Sequence, residues 1–418
     1  MHILQIADGH LFSTYGGRDI YVHNIVDELL QHNVTLTILT ENIRKETYKG
    51  CKLYNYGGLD DEQIFALVKE ISPDVIHAHY YERLFCIIGR QLGIPVVVTA
   101  HGGHIVCPAG ILLNYKDEIC QLKVNHKNCL HCYLRNIRTG LLWYPFMRLL
   151  PERTYLRLGL WLKKKPFIYF ITPIGGAALA IRSKQEEWHN IIDNCKLMIA
   201  PSEAMKEAIV SNGLDPKKIK VIPHGIPLLP HTVPFPSTAN GIQFFYLGRI
   251  CYNKGLHILL EAFHQLADTN SKLHIIGAAS TKAEQRYFSC LQRRYRQDCR
   301  IIWHGKILSN EVYNTVRNYH VSLMASFSDS FGLNIAESLS MGKPVLATRN
   351  GGAEMQIEDG VNGWLVPTND VKAMWRKMEE IVRIPEAKLA QMAGKKEVVS
   401  IKRHCKELIR IYDEAITN

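Results

Sequence analysis

Strand–helix alternation, run through twice, constrains this chain more than any other feature. Ile3-Leu4-Gln5-Ile6-Ala7 reads as a strand, and a loop ending in Tyr15-Gly16-Gly17 follows it. A helix is predicted from about Asp19 to Leu30, with Ile20, Ile25, Val26, Leu29 and Leu30 as its apolar stripe. Further strands are predicted at 34–39, 74–79 and 95–99. A strand covered on both faces must be apolar throughout, so β-branched runs separated by helix-length segments argue for a doubly wound parallel sheet. The rhythm breaks between about His104 and Asn190, where Cys, Arg and aromatic residues suggest an insertion of helices and loops. It resumes with Leu197-Met198-Ile199-Ala200, a helix from Ser202 to about Asn212, and Lys220-Val221-Ile222.

Pro223, Pro227, Pro230, Pro234 and Pro236 then crowd one short stretch, a linker composition. The alternation restarts with Phe244–Leu247, a helix over 256–266, and strands at 273–277, 301–305 and 321–324. A chain of 418 residues exceeds one ordinary core. The expected fold is therefore α/β, with two Rossmann-like domains. The first covers 1–225 with the insertion at about 104–190, the linker 226–240, the second domain 241–395, and a basic helix 396–418 ends the chain.

The chain is 47% apolar and 21% charged, the balance of a soluble globular protein. Its net charge of +11 favours anionic partners such as nucleoside diphosphates or anionic lipid. No motif supports nucleic acid. Met1–Ile6 reads directly as a buried strand rather than a signal peptide, so the expected compartment is cytoplasmic. The weakly polar run 166–181 is too short for a membrane span and is interrupted by Pro173 and Gly175-Gly176. Eleven cysteines in such a chain read as thiols or metal ligands rather than disulfides.

The chemistry concentrates between Ser326 and Gly363. Asp329 and Glu337 stand eight residues apart, with Phe331-Gly332-Leu333 between them as a helix start. Glu337 is expected about two turns into that helix. Backbone N–H groups at a helix N-terminus bind phosphate, and carboxylates bind hydroxyls, so the segment suits a nucleotide sugar. Upstream, Gly248-Arg249-Ile250-Cys251-Tyr252-Asn253-Lys254-Gly255 joins a strand to a helix. There Arg249 can bond a diphosphate bidentately, and Lys254 is a compact positive charge.

These segments closely resemble the signature of the family 4 retaining glycosyltransferases. The shared pattern is an acid, seven residues and Glu around Phe-Gly-Leu. It continues as Glu337-Ser338-Leu339-Ser340-Met341-Gly342-Lys343-Pro344-Val345 and Gly351-Gly352-Ala353-Glu354, with Gly-Arg-x4-Lys-Gly upstream. The resemblance covers most of the chain outside the insertion. It implies the glycosyltransferase-B architecture, two Rossmann-like domains facing across a cleft, with the last helix crossing back onto the first. The implied reaction moves a hexose with retention from a nucleoside-diphosphate sugar to a hydroxyl acceptor, a glycan or a lipid-linked species. A UDP-sugar is favoured over a GDP-sugar, and no catalytic metal is expected. Asp329 departs from the usual Glu, and the carboxylate of Asp sits about 1.5 Å shorter. The alternatives are a nucleotide-sugar epimerase and a silent sugar-nucleotide-binding subunit.

The resemblance also implies roles. Arg249 and Lys254 take the departing diphosphate, Phe331, Gly332 and Leu333 cradle phosphate, Glu337 holds the ribose, and Asp329 the donor sugar. His101, at the end of the strand 95–99, faces the anomeric centre, and Gly16 and Gly17 form a pliant loop near phosphate and acceptor. Two further features stand apart from this set. Cys107, Cys120, Cys129 and Cys132 end in a Cys-x2-Cys pair and read equally as a structural zinc site or as four separate thiols. From Arg135 to Lys165, eight basic residues and one acid interleave with Trp143, Phe146, Leu149 and Trp161. That mixture reads as a packed amphipathic segment or as a surface for peripheral contact with an anionic inner membrane face.

Overall fold

The computed structural model describes residues 1–8, 16–41, 43, 46–135, 140–164, 173–228, 234–393, 395 and 398–417. Tyr15, part of the linker (229–233), part of the 166–181 run (166–172), and residues 396–397 at the start of the last basic segment lie outside these. Contacts divide the chain into two units, Met1–Pro223 with Lys402–Asn418, and His224–Ile401.

The first unit is built on an eight-stranded sheet: β1 (His2–Ile6), β2 (Thr35–Thr40), β3 (Thr47–Tyr48), β4 (Cys51–Asn55), β5 (Val75–Ala78), β6 (Val96–Thr99), β7 (Leu197–Ala200) and β8 (Ile219–Val221). Their spatial order is β3-β4-β2-β1-β5-β6-β7-β8. All neighbours are parallel except β3 and β4, which form a short antiparallel edge. Central strands such as β5, β6 and β7 are buried along their whole length, which is why their sequences carry no polar alternation. The helix Gly17–Leu29 buries Tyr21, Val22, Ile25, Val26 and Leu29. Ile20, expected in that stripe, is only partly buried, and Tyr21 takes its place.

The insertion resolves into helices His126–Arg135, Gly140–Met147 and Glu152–Lys163, joined by the long helix Pro173–Asn194. Leu130, Leu134, Met147, Tyr155, Ala177 and Ala178 give it a small core of its own. The last helix, Ile401–Thr417, packs with the first unit through His404, Cys405, Leu408, Ile411 and Tyr412.

The second unit has a six-stranded, all-parallel sheet: β9 (Gln243–Leu247), β10 (Lys272–Ile276), β11 (Ile301–Gly305), β12 (Val321–Met324), β13 (Val345–Thr348) and β14 (Gly363–Val366). The order is β11-β10-β9-β12-β13-β14. In an open parallel sheet, ligands bind beyond the carboxyl ends of the strands where the winding direction reverses. That point falls between β1 and β5 in the first unit and between β9 and β12 in the second. Among the described residues no helix is long and apolar enough to cross a membrane.

Candidate active site

At the second unit's switch point, three loops are laced together by backbone. The loop after β9 meets the loop after β12 where Phe327 N donates to Asn253 O at 3.0 Å. The loop after β12 meets the loop after β13 where Asp329 N donates to Asn350 O at 3.0 Å and Thr348 Oγ1 donates to Ser326 O at 2.6 Å. Gly255 ends the first loop at φ 66°, and a Cβ there would lie 2.0 Å from Ala325 O, so only glycine allows this approach. Tyr252 stacks on Phe327 at 5.6 Å between ring centroids.

This lacing brings together residues 75 apart in sequence. Lys254 Nζ donates to Asp329 Oδ1 at 2.7 Å and to Oδ2 at 2.9 Å. Both side chains are largely covered, 26% and 15% exposed, so the pair is held rather than floating in solvent. Asp329, expected to meet sugar hydroxyls, and Lys254, expected to meet diphosphate, are thus each other's first partners. Arg249 is freer: its side chain is 56% exposed, and its Nε lies 3.6 Å from Glu284 Oε1. Its backbone is pinned by Tyr246 Oη, which donates to Arg249 O at 2.6 Å.

Phe331 is buried, and Gly332 caps the helix Leu333–Ser340 at φ 81°, ψ 69°. Glu337 is the fifth residue of that helix, just past its first turn rather than two turns in. Its carboxyl is pushed up to about 7 by burial. Among the described residues no hydrogen bond or ion pair engages that carboxyl, although its side chain remains partly open to solvent. A carboxyl poised near neutrality without a partner is a frequent mark of a binding site.

The glycine pair closes over the helix start. A Cβ on Gly352 would fall 2.5 Å from Phe331 O. Glu354 Oε2 accepts from Gly351 N at 2.8 Å, and Asn350 Oδ1 accepts from Gly352 N and Ala353 N at 3.2 and 3.0 Å. Gln356 Nε2 donates to Phe331 O, and to Gly332 O and Gly352 O at 3.3 Å each. Asn350, Gln356 and Glu284 escaped the sequence reading. Their work is to hold backbone and a neighbouring side chain, which leaves no spacing pattern to find.

In the first unit, Gly16 caps the helix Gly17–Leu29 with extended backbone, beside buried Asp19, whose carboxylate accepts from Tyr80 Oη. The Arg18 guanidinium lies 3.4 Å over the Tyr80 ring and 3.3 Å from His104 Nε2. His101 follows β6, and its Nε2 lies 2.9 Å from His79 Nδ1.

The four cysteines lie around a short hairpin and a helix. Leu113 and Ile119 bridge antiparallel, Cys120 N donates to Leu112 O at 2.9 Å, and Cys129 and Cys132 lie on the helix His126–Arg135. Arg135 clamps the hairpin at Asp117 with bonds of 2.7 and 3.1 Å. Burial, with smaller contributions from the neighbouring cysteines, pushes the Cys129 thiol up to about 12 and Cys132 to about 11. The thiols therefore share one neighbourhood. Among the described residues, no group of three or more His, Cys, Asp or Glu is arranged to hold a metal ion.

Residues 234–397 match the family of glycosyl transferases group 1, and residues 15–117 match glycosyltransferase family 4. A D-inositol 3-phosphate glycosyltransferase of an Arthrobacter species is 30% identical over 198 residues, 44% of this chain and 47% of that one. A lipopolysaccharide 1,6-galactosyltransferase of Salmonella typhimurium is 27% identical over 172 residues, 40% of this chain and 47% of that one. The chain spans about half the length of the curated relatives it matches. HepE of Anabaena, solved with UDP, superposes with a TM-score of 0.67 at 15% identity, covering 99% of this chain and all of that one. Sucrose-phosphate synthase of Thermosynechococcus elongatus gives 0.68 at 17% identity, covering 99% and 98%. The fold is glycosyltransferase-B, and the group 1 and family 4 matches, one falling in each unit, support a glycosyltransferase of the family 4 type.

Proposed function

We propose that this chain transfers a hexose, with retention, from a nucleoside-diphosphate sugar to a hydroxyl acceptor in the assembly of a polysaccharide or glycolipid. One observation carries the reading: the held Lys254–Asp329 pair stands beside the start of a helix that also bears the unpartnered, near-neutral carboxyl of Glu337. In this reading Lys254, with Arg249, offsets the charge growing on the departing diphosphate, and the helix start at Phe331-Gly332-Leu333 receives phosphate oxygens. Glu337 accepts from the ribose hydroxyls. Asp329 orients Lys254 and presents its remaining lone pairs to the donor sugar. His101 serves the sugar near its anomeric carbon, Gly16 and Gly17 line the acceptor side, and the leaving phosphate takes the acceptor proton on the same face. A UDP-sugar is the favoured donor because HepE, which shares the fold, was solved with UDP and with UDP-glucose. The acceptor class follows relatives named for inositol phosphate and lipopolysaccharide.

Incubation with UDP-, GDP- and ADP-sugars and a mixed acceptor panel, followed by mass analysis, tests the reading. Transfer yields a nucleoside diphosphate and a heavier acceptor. An isomerised sugar with no acceptor gain would make the chain an epimerase, and binding without either product a silent subunit.

Membrane contact belongs to the same proposal. Leu142, Phe146, Leu149 and Trp161 are 74%, 69%, 76% and 53% exposed on two consecutive helices of the insertion and the turn joining them. Arg148, Arg153, Arg157 and Lys164 are exposed among them. Basic residues near an anionic surface contribute about 1 kcal/mol each. The protein should co-sediment with vesicles containing anionic lipid, be released by salt, and bind neutral vesicles far less. Equal binding to both would leave the apolar face without its electrostatic partner.

The zinc reading of Cys107, Cys120, Cys129 and Cys132 rests on their spacing and the terminal Cys-x2-Cys pair alone, since among the described residues no group of three or more such side chains is arranged to hold a metal ion. It predicts about one zinc per purified chain, and metal analysis finding none removes it.

A further inference from the structure

One arginine of the first unit is held in place without a carboxylate to neutralise it. Arg135 and Arg182 in the same unit each grip an acid at 2.7 Å. Arg18 does not. Among the described residues its guanidinium meets an aromatic face and a histidine, and no carboxylate bonds it. It lies 3.4 Å over the centre of the Tyr80 ring, a separation that a planar fork reaches by lying along the ring. One edge is taken by His104 Nε2 at 3.3 Å. Arginine only donates, so that nitrogen accepts, and burial holds the His104 ring neutral, down at about 4.

The neighbouring acids are engaged elsewhere. Asp19 is 9% exposed, and one of its oxygens accepts from Tyr80 Oη. The other turns toward Gly16, where an added Cβ would stand 3.0 Å from it. Glu82 is 8% exposed, burial raises its carboxyl to about 6, and it gives Arg18 no bond. Tyr80 therefore acts twice. Its face carries the guanidinium, and its hydroxyl keeps the adjacent carboxylate from claiming it. The cluster also stands at a telling place in the fold. Arg18 follows β1 and Tyr80 follows β5, the two strands between which the winding of this sheet reverses, and His104 follows β6. Tyr81, directly after Tyr80, has left-handed backbone at φ 50°, ψ 37°. That conformation is strained for an aromatic residue, and such strain gathers where ligands are held.

We propose that Arg18 is an oxyanion receptor of the first unit, selecting an acceptor that carries a phosphate or carboxylate beside the hydroxyl to be glycosylated, with Tyr80 as its positioning residue. The free edge of a guanidinium presents paired N–H groups that match two oxygens of either group. That the ligand is an acceptor rests on the proposed transfer, whereas its binding can be measured without turnover. Arg249 and Lys254, assigned to the diphosphate, belong to the other unit.

Calorimetry with methyl glucoside, methyl glucuronide and a phosphate monoester of methyl glucoside isolates the charge, since the three share one sugar ring. The two acidic probes should bind, and the neutral one far more weakly. Arg18→Gln should weaken the acidic probes on the order of 10- to 100-fold, with thermal melting unchanged. Arg18→Lys should recover part of the loss, because a point charge lacks the flat fork. Tyr80→Phe keeps the ring but frees Asp19 to pair with Arg18, so it should weaken the acidic probes too. Asp19→Asn in that background should restore them. Lys254→Ala should keep the Arg18-dependent binding, which separates it from the diphosphate residues. Native-like affinity in Arg18→Gln, or equal affinity of the native protein for all three probes, overturns the proposal. Native-like affinity in Tyr80→Phe removes Tyr80 from it. Arg18-dependent binding without transfer to any probe upholds the receptor and counts against hexose transfer. Equal transfer to neutral and acidic probes, in native and Arg18→Gln protein alike, upholds transfer and removes the receptor.

Discussion

Replacing Lys254 with alanine should lower kcat for sugar transfer by a factor on the order of 10²–10³, while donor affinity falls much less. The reason is differential. Charge on the diphosphate grows as the glycosidic bond breaks, so an ammonium aimed at it contributes more in the transition state than in the ground state. The structure adds a second arm to the test. Asp329 grips Lys254 through both oxygens, so Asp329→Asn keeps the positive charge but loosens its position. It should cost rate in the same direction and by a smaller factor. Removing the lysine also leaves a covered carboxylate without its partner, so kcat at saturating donor should be measured beside thermal melting. Near-normal turnover by folded Lys254→Ala protein would detach this lysine from the chemistry.

The fold class was legible because its physics is local. Parallel strands buried on both faces must be apolar runs, and β1, β6, β7 and β12 announce themselves in that way. Three strands did not. β3 and β4 form the sheet edge, where Cys51-Lys52-Leu53-Tyr54-Asn55 buries only alternate side chains, and that pattern is easily taken for loop. β14 begins at a glycine in an Asn-Gly turn signal and pairs in register with β13, a relation the sequence does not state. The helix Gly17–Leu29 was found, and Ile25, Val26 and Leu29 of its expected stripe are buried, but Ile20 and Leu30 are only partly so and Tyr21 and Val22 join the buried face. Tyr21 counts as amphipathic by type, yet it is fully buried, with its hydroxyl bonded to His404 Nε2 at 2.7 Å.

The candidate site was legible as a list of residue types and illegible as a geometry. Gly-Arg-x4-Lys-Gly and the two acids could be found by spacing, since each lies on one loop or helix start. That Lys254 would bind Asp329 could not, because the contact depends on β9 and β12 being neighbours in the sheet. The same holds for Gln356, whose amide reaches the carbonyls of Phe331, Gly332 and Gly352. Backbone-holding side chains carry no period and no charge pattern. They become visible only when the carbonyls they serve are in place.

Glu337→Gln should weaken nucleoside-diphosphate binding roughly 10- to 100-fold at pH 8, the loss of about one charge-assisted hydrogen bond. It should also remove a pH dependence. The carboxyl is raised from its ordinary 4.5 to about 7 in the folded protein. The ionised form accepts through both oxygens in charge-assisted bonds, whereas a proton occupies one oxygen of the neutral form, so below about pH 7 tight binding must first remove that proton. Affinity of the native protein should therefore rise with pH up to about 7 and level off above it. The diphosphate titrates in the same range, so the informative quantity is the difference between native and Glu337→Gln profiles measured by calorimetry. Stability of the free protein runs the other way. The folded state holds this proton more tightly than the unfolded chain, so the contribution is intact below 4.5 and is lost as pH rises toward 7. Glu337→Gln should flatten that slope too. If the variant binds nucleotide as the native protein does across this range, the ribose lies elsewhere, and the raised carboxyl of Glu337 is a cost of burial without a ligand to offset it.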